Sequence, residues 1–212
     1  MGNKYHSAMK IKNITTEDVE PMDRWDFGDC IGIKHDFVKH GLPLEMEKCE
    51  VIYAERPWPH GFKIFDERAG QETRPYKLFQ EATNQMIAQA TKPVFLIVGK
   101  ILLNALPEPR GTAEIRLNSL TVILAWWNCD YNGPLTTNTD VAWHLGGQFQ
   151  SVGDFCCGYG EPLFSFLDND LPQKRRQKQF FIGSDHNGKC IRVLHDRLQA
   201  RVKSTEDRLY GQ

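Results

Sequence analysis

Five short apolar runs, separated by polar or amphipathic segments, constrain the fold of this chain more than any other feature of its sequence. Several are apolar at successive positions, which is typical of strands that helices cover on both faces. Such strands occur in mostly parallel sheets. The runs cover residues 26–33, 49–54, 93–99, 120–127 and 151–156, and residues 179–183 form a sixth.

Two longer segments, residues 76–90 and 189–203, carry apolar residues every three or four positions, the period of an amphipathic helix. Strands that alternate with helices predict an α/β fold, in which helices cover both faces of a mixed, mostly parallel sheet. We therefore expect a single Rossmann-like domain built on a seven-stranded mixed sheet.

The charge and composition of the chain are those of an ordinary globular protein. A formal net charge of −1 argues against a strongly basic nucleic-acid-binding protein, although local patches, and not totals, attract phosphate backbones. The sequence has no apolar run long enough to cross a membrane, and its six cysteines form no C-x-x-C pair. We expect a cytoplasmic protein without membrane association, with a polar N-terminal arm at residues 1–22 and one domain at residues 23–212.

A glycine-containing turn follows the fifth apolar run. Asp154 lies at the end of the strand segment, Gly158 and Gly160 follow it, and a helix start comes next at Glu161. Glycines allow positive φ angles and the close approach of a nucleotide-like cofactor to the backbone. Asp185 ends the next strand about 25 residues further on, where an acidic residue bonds ribose hydroxyls in dinucleotide-binding folds. The pattern favours a cofactor site over the alternative, a plain glycine turn with an incidental acidic residue.

The second apolar run leads directly into Glu55, followed by Pro57 and Trp58. A carboxylate and a backbone carbonyl at a strand end can accept hydrogen bonds from an amino group, and an indole ring can stack on a planar base. The alternative is a proline-rich turn beside a core tryptophan. Because ligands bind at strand ends in open α/β sheets, the position favours a binding role.

Taken in order, these motifs resemble one family, the permuted S-adenosylmethionine-dependent DNA adenine amino methyltransferases, in which the catalytic motif precedes the cofactor motif. The family's catalytic motif, D-P-P-W or D-P-P-Y, is matched by Glu55-Arg56-Pro57-Trp58, and its cofactor motif D-P-F-x-G-S-G by residues 154–160. The resemblance is collinear from residue 25 to about residue 200. Its other matches are Gly28-Asp29-Cys30, residues 41–43, residues 123–128, residues 182–185 and Arg197-Leu198.

The resemblance implies a class I methyltransferase fold, S-adenosylmethionine as cofactor, and methyl transfer to an exocyclic amino group, most simply that of adenine in DNA. It implies that Asp185 binds the cofactor ribose and that Asp29 lies near the cofactor adenine. The full set of implied cofactor residues is Asp29, Asp154, Cys156, Gly158, Gly160 and Asp185. The implied catalytic residues, which would hold a base flipped out of the nucleic acid, are Glu55, Pro57 and Trp58.

The chain departs from the family at the catalytic motif. Glu55 stands where the family has Asp or Asn, and Arg56 where it usually has proline. The longer side chain displaces the carboxylate, and a displacement of ~1 Å can cost ~100-fold in rate. The departures favour an alternative function, a catalytically silent methyltransferase-like module that binds and regulates a protein or a nucleic acid. The short segment after residue 128 favours a methyltransferase acting on RNA or a modified base, and a third alternative is a nucleotide-binding α/β protein of unrelated chemistry.

Positive charges provide the candidate contacts to nucleic-acid phosphates. They are Arg56 and the basic run that contains Lys174, Arg175 and Arg176. For the run, the alternative is a solvated loop. No standard metal-ligand spacing is present, so we expect no metal site.

Overall fold

The computed structural model describes residues 19–167 and 180–210, with side chains to residue 203. The strands are β1 (Arg24–Phe27), β2 (Cys30–Lys34), β3 (Val51–Glu55), β4 (Val94–Val98), β5 (Gly111–Leu117), β6 (Leu120–Trp127), β7 (Ser151–Asp154) and β8 (Phe180–Asp185). The helices are α1 (Phe37–His40), α2 (Pro59–Arg68), α3 (Tyr76–Gln89), α4 (Lys100–Leu103), α5 (Asn138–Gln148), α6 (Glu161–Leu167) and α7 (Gly188–Tyr210), and a 3-10 turn covers Leu44–Lys48.

All the described strands form one sheet in the order β1-β2-β8-β7-β3-β4-β6-β5. The strands from β2 to β4 in this order are parallel, whereas β1 is antiparallel to β2, and β6 is antiparallel to both β4 and β5. The five parallel strands lie in the order β2-β8-β7-β3-β4. When β7, β8, β2, β3 and β4 are renumbered 1, 2, 3, 4 and 5, this order becomes 3-2-1-4-5, which is the Rossmann order. The predicted fold class, a Rossmann-like, mixed and mostly parallel sheet with helices on both faces, is confirmed.

The side chains of β3 show why both faces of this sheet need helices. Val51 and Tyr53 belong to one buried cluster, and Ile52 and Ala54 to another, because successive strand residues face opposite sides. Residues of α5, α6 and α7 complete the first cluster, and residues of α2 and α3 complete the second. The continuous apolar pattern of β3 therefore reflects burial on both faces.

The predicted count of seven strands is corrected to eight among the described residues. Residues 26–33, predicted as one strand, form parts of a hairpin, because Gly28 adopts a φ of 59° and turns the chain. Strand β5, at the sheet edge, was not predicted, although it alternates buried Ile115 and Leu117 with exposed Glu114 and Arg116, the pattern of a half-buried strand. Among the described residues, no helix is both long and apolar enough to span a membrane.

The connections that follow the neighbouring strands β3 and β7 run to opposite sides of the sheet. The chain leaves β3 towards β4 on one side, and leaves β7 through α6 towards β8 on the other. Tyr53 of β3 lies opposite Asp154 of β7 in the parallel register. In open α/β sheets, ligands bind at such a topological switch point, in the crevice beyond the carboxyl ends of the strands. The fold thus brings the end of β3, with Glu55, and the end of β7 to one crevice.

Candidate functional site

A cleft of about 280 Å³ opens at this switch point. Its walls come from the carboxyl ends of β3, β7 and β8, from the segment after β2, and from α2 and α3. The sequence-predicted residues that line it are Glu55, Arg56, Pro57, Trp58, Cys156, Gly158 and Asp185. The structure therefore joins the two motifs, a hundred residues apart in the chain, in one cavity.

Asp29 is not among the residues that line this cleft, and its place near the cofactor adenine stays a prediction. It lies in the turn before β2, and its carbonyl oxygen accepts a hydrogen bond of 3.0 Å from the amide of Phe181, near the start of β8. The cleft lies at the other end of β8, where Asp185 is located. At ~3.3 Å per residue, a strand of this length separates Asp29 from the cleft by roughly 15 Å.

Sequence reasoning missed Asp36, which lines the cleft. It follows β2 at the carboxyl end and lines the cavity. Its carboxylate caps α1 by accepting from the amides of Val38 (3.1 Å) and Lys39 (3.3 Å). The sequence offered one signal for Asp36, which is an acidic residue shortly after an apolar strand. Glu55 and Asp185, also at the cleft, are acidic residues at the ends of apolar strands.

The turn after β7 and the end of β8 are joined by a hydrogen bond. The amide of Gly158 donates to Oδ2 of Asp185 at 3.1 Å, and the amide of Asn187 donates to Oδ1 at 2.9 Å. Gly158 has a φ of 49°, and a Cβ added there would meet no atom within 4 Å. The backbone at Gly158 is therefore open towards the cleft, as a cradle for a ligand requires. Burial raises the pKa of Asp185.

Gly160, predicted from the same motif, has a different role. Its φ is 83°, and a Cβ there would lie 2.1 Å from Cδ1 of Leu194 in α7. Gly160 is absent from the cleft walls. The second glycine of the motif thus allows the turn to pack closely against α7, and its contact with a cofactor stays a prediction.

Asp154 lies fully buried at the end of β7, outside the surface of the cleft. Oδ1 accepts a hydrogen bond of 3.1 Å from the amide of Cys156, whereas Oδ2 has no partner among the described residues. Burial raises the pKa of this carboxyl group well above its ordinary value, and the charges of Glu55 and Asp185 add to the effect. The orphaned oxygen thus lies out of contact with the cleft surface, and burial favours the protonated form of the carboxyl group.

Glu55 reaches the cleft from the end of β3. Its Oε2 accepts a hydrogen bond of 2.9 Å from the side-chain amide of Asn138, at the start of α5. Burial raises the pKa of Glu55, while the bond from Asn138 opposes this rise. Asn138 was missed because it falls in a polar segment that reads as a surface loop; its helix begins there because Thr137 caps the amide of Asp140.

Trp58 and Arg56 form the wall beside Glu55. The indole ring packs over Gly99, where an added Cβ would lie only 2.6 Å from it. The guanidinium carbon of Arg56 lies 5.8 Å from the centre of the same ring. The tryptophan is thus held in place by the end of β4, while part of it lines the cavity.

An ionic network closes the side of the cleft formed by α2 and α3. Arg74 binds both Asp66, which is fully buried, and Asp36, with shortest distances of 2.7 Å to each. This network ties the segment between α2 and α3 to the end of β2. No group of three or more His, Cys, Asp or Glu side chains within the described ranges is arranged to hold a metal ion. Lys174, Arg175 and Arg176 lie outside the described residues.

No protein-family model and no curated protein matches the chain. Among solved structures, the crystal structure of M1.HpyAVI is 10% identical, covers 77% of this chain and 94% of its own, and has a TM-score of 0.44. The crystal structure of the M1.HpyAVI-SAM complex is 11% identical, covers 76% and 92%, and has a TM-score of 0.42. The assignment of the fold rests on the strand order of the chain itself.

Proposed function

We propose that the protein is an S-adenosylmethionine-dependent methyltransferase that acts on the exocyclic amino group of a nucleobase, with adenine in DNA as the primary substrate. The observation that carries this proposal is the meeting of two motifs in one cleft. Glu55, Pro57 and Trp58 end one strand of the switch point, and the turn at Gly158 follows the other.

Three groups fit the cofactor. Gly158 leaves open space above its backbone, Asp185 offers carboxylate oxygens beside it, and Cys156 lines the same side of the cleft. We infer that Asp185 accepts hydrogen bonds from the ribose hydroxyls. The bound cofactor would supply an electrophilic methyl group on a sulfonium.

Glu55 would receive the target amino group. Its free oxygen accepts one N–H of that group, which orients the nitrogen lone pair, while Trp58 lies against the ring of the flipped base. An ionised carboxylate is needed for this role, and burial works against ionisation. Asn138 offsets the burial by donating to Glu55, so we propose that Asn138 keeps the acceptor charged. Rate enhancement rests on positioning.

The silent module remains the second candidate, and Arg56 is the observation that favours it. A buried cation occupies the place of the family's usual proline, beside the carboxylate that would receive the base. Such a module would bind a protein or a nucleic acid without methyl transfer. A methyltransferase on RNA or a modified base is supported by the short connection from β6 to α5.

Calorimetry with S-adenosylmethionine and S-adenosylhomocysteine, followed by tritium transfer from labelled cofactor to DNA and to RNA, tests the proposal. We expect cofactor binding and transfer to DNA, and loss of transfer with retained cofactor binding in Glu55→Ala and Trp58→Ala. Glu114→Ala, at an exposed position of β5, is the matched control.

The outcomes separate the candidates. Absence of cofactor binding at millimolar concentration contradicts the cofactor assignment. Binding without transfer to any nucleic acid supports the silent module, and Glu55→Asp combined with Arg56→Pro would then test whether the family motif restores transfer. Transfer that survives Glu55→Ala excludes the end of β3 as the target site.

A further inference from the structure

Arg56 is a buried cation that the protein itself leaves without a counter-charge. Its side chain and backbone together are only 3% exposed. Nη1 donates to the hydroxyl of Tyr76 and to the carbonyl of Pro57 (3.3 Å). Nε is buried without any hydrogen bond, and no carboxylate within the described part of the chain forms an ion pair with the guanidinium. One edge of the guanidinium thus lacks a protein partner.

The same cleft contains a second arginine for comparison. Arg74 also lines the cavity, but its guanidinium is neutralised by Asp36 and Asp66 at 2.7 Å each. The fold therefore places carboxylates around one cleft arginine and none of the described ones around the other. Two arginines of one cleft therefore differ in their partners: Arg74 is paired with carboxylates, and Arg56 is paired with none of the described ones.

A buried charge without a partner is one of the least favourable arrangements in a protein. Burial lowers the pKa of Arg56, yet a guanidinium keeps its proton at neutral pH. The planar fork of arginine matches the two oxygens of a carboxylate or a phosphate. Because Tyr76 and Pro57 hold Nη1, the fork is already oriented before a ligand arrives.

We propose that Arg56 binds an oxyanion carried by the ligand of the cleft, either a carboxylate or a phosphate. The inference rests on the proposed function, which supplies two sources: the amino-acid carboxylate of the cofactor, and a phosphate of the target nucleotide. At 3% exposure, Arg56 meets a group that enters the cleft, and not a phosphate backbone that passes over the surface.

Calorimetry with two matched ligand pairs distinguishes the sources. S-adenosylhomocysteine is compared with its decarboxylated analogue, and adenosine 5′-monophosphate with adenosine. We expect the wild-type protein to prefer the anionic member of one pair by about tenfold or more, as a charge-assisted hydrogen bond provides. A preference in the first pair assigns the carboxylate, and a preference in the second assigns the phosphate.

Variants then connect the preference to Arg56. Arg56→Gln removes it, and Arg56→Lys keeps part of it because the charge remains while the fork is lost. Lys63→Gln, on the exposed surface of α2, removes the same charge outside the cleft and leaves the preference unchanged. A preference that persists in Arg56→Gln, or its absence from both pairs in the wild-type protein, overturns the inference.

Stability provides an independent readout. In ligand-free buffer, Arg56→Gln should melt at or above the wild-type temperature, because it removes a buried charge without a counter-charge. Arg74→Gln should melt lower, since it orphans Asp36 and Asp66. A lower melting temperature for Arg56→Gln argues for a purely structural role and against the inference. Wild-type binding of S-adenosylhomocysteine, without an Arg56-dependent preference in either ligand pair, overturns this inference alone, whereas absence of that binding overturns the proposed function.

Discussion

The side-chain amide of Asn138, in the first turn of α5, donates a hydrogen bond of 2.9 Å to Oε2 of Glu55, at the end of β3. The two residues are 83 positions apart in the chain. The bond fixes one carboxylate oxygen and leaves the other available to a ligand. It also opposes the rise in the pKa of Glu55 that burial causes. Helix α5 thereby contributes to a site whose motif lies on another element.

Asn138→Ala should reduce methyl transfer and move its pH dependence. Without the hydrogen bond, the pKa of Glu55 rises further, so that the carboxylate becomes protonated at a higher pH as the pH falls. The acid limb of the pH–rate profile should therefore shift to higher pH. A bond to a charged group is worth ~1.5–3 kcal/mol, so the rate should fall by about tenfold or more. An acid limb identical to that of the wild-type protein would show that Glu55 is not the titrating acceptor.

Gly158→Val should weaken cofactor binding strongly while the fold survives. The added side chain meets no protein atom at its Cβ and occupies the space proposed for the ligand. Gly28→Val is a matched control, because Gly28 also has a positive φ, of 59°, and open space around it, but lies in the β1–β2 turn. Both variants carry the same backbone strain. Equal loss of cofactor affinity in the two, measured by calorimetry, would contradict a ligand cradle at Gly158.

Gly160→Ala should destabilise the fold. Its Cβ would lie 2.1 Å from Cδ1 of Leu194, and overpacking of this kind costs typically ~1–3 kcal/mol in addition to the strain of a positive φ. Urea unfolding measures the loss. Leu194→Ala in the same chain removes the clash, so the double variant should be more stable than the sum of the two single effects predicts. If the losses of unfolding free energy in the two single variants simply add in the double variant, the contact with Leu194 is not the cause of the loss in Gly160→Ala.

Asp154→Asn should change how stability depends on pH. The folded-state pKa of Asp154 is raised well above 3.8, so its favourable contribution is fully present below 3.8 and is lost as the pH rises through the folded pKa. Wild-type stability should therefore decline relative to the variant, which does not titrate, as the pH rises from about 4. Each tenfold change in proton affinity corresponds to about 1.4 kcal/mol. Parallel stability curves from urea unfolding would show that Asp154 titrates normally.

Asp185→Ala should weaken cofactor binding by ~1.5–3 kcal/mol, the range of hydrogen bonds to a charged group. The substitution also releases the amides of Gly158 and Asn187, which Asp185 holds. Asp185→Asn keeps an acceptor for one of these amides, so its loss should be smaller. An unchanged dissociation constant in Asp185→Ala would show that Asp185 stabilises the turn and does not bind the cofactor.

Much of the sheet was predictable from local pattern. Strands β3, β4, β6 and β7 lie within two residues of the predicted runs, and α3 differs from its predicted range by one residue. These elements are buried on one or both faces, so their own residues carry the signal. Glu55 and Asp185 were recognisable as cleft residues because each ends an apolar strand.

The roles of individual polar residues and glycines depended on contacts between distant segments. Gly158 and Gly160 share a motif and a positive φ, and only the approach of Leu194 to the second distinguishes them. Asn138 reads as a loop residue until α5 is placed beside the end of β3.

The sequence by itself determined the fold class and the strand ends that form the cleft, because hydrophobic periodicity is a property of neighbouring residues. The tertiary structure alone decided which charges are neutralised and which are not. Arg56 and Arg74 are both followed by a proline in the sequence, yet Arg74 lies between Asp36 and Asp66 while Arg56 lines the cleft beside Tyr76. The order of strands sets these partners, since it brings together residues that no local pattern connects.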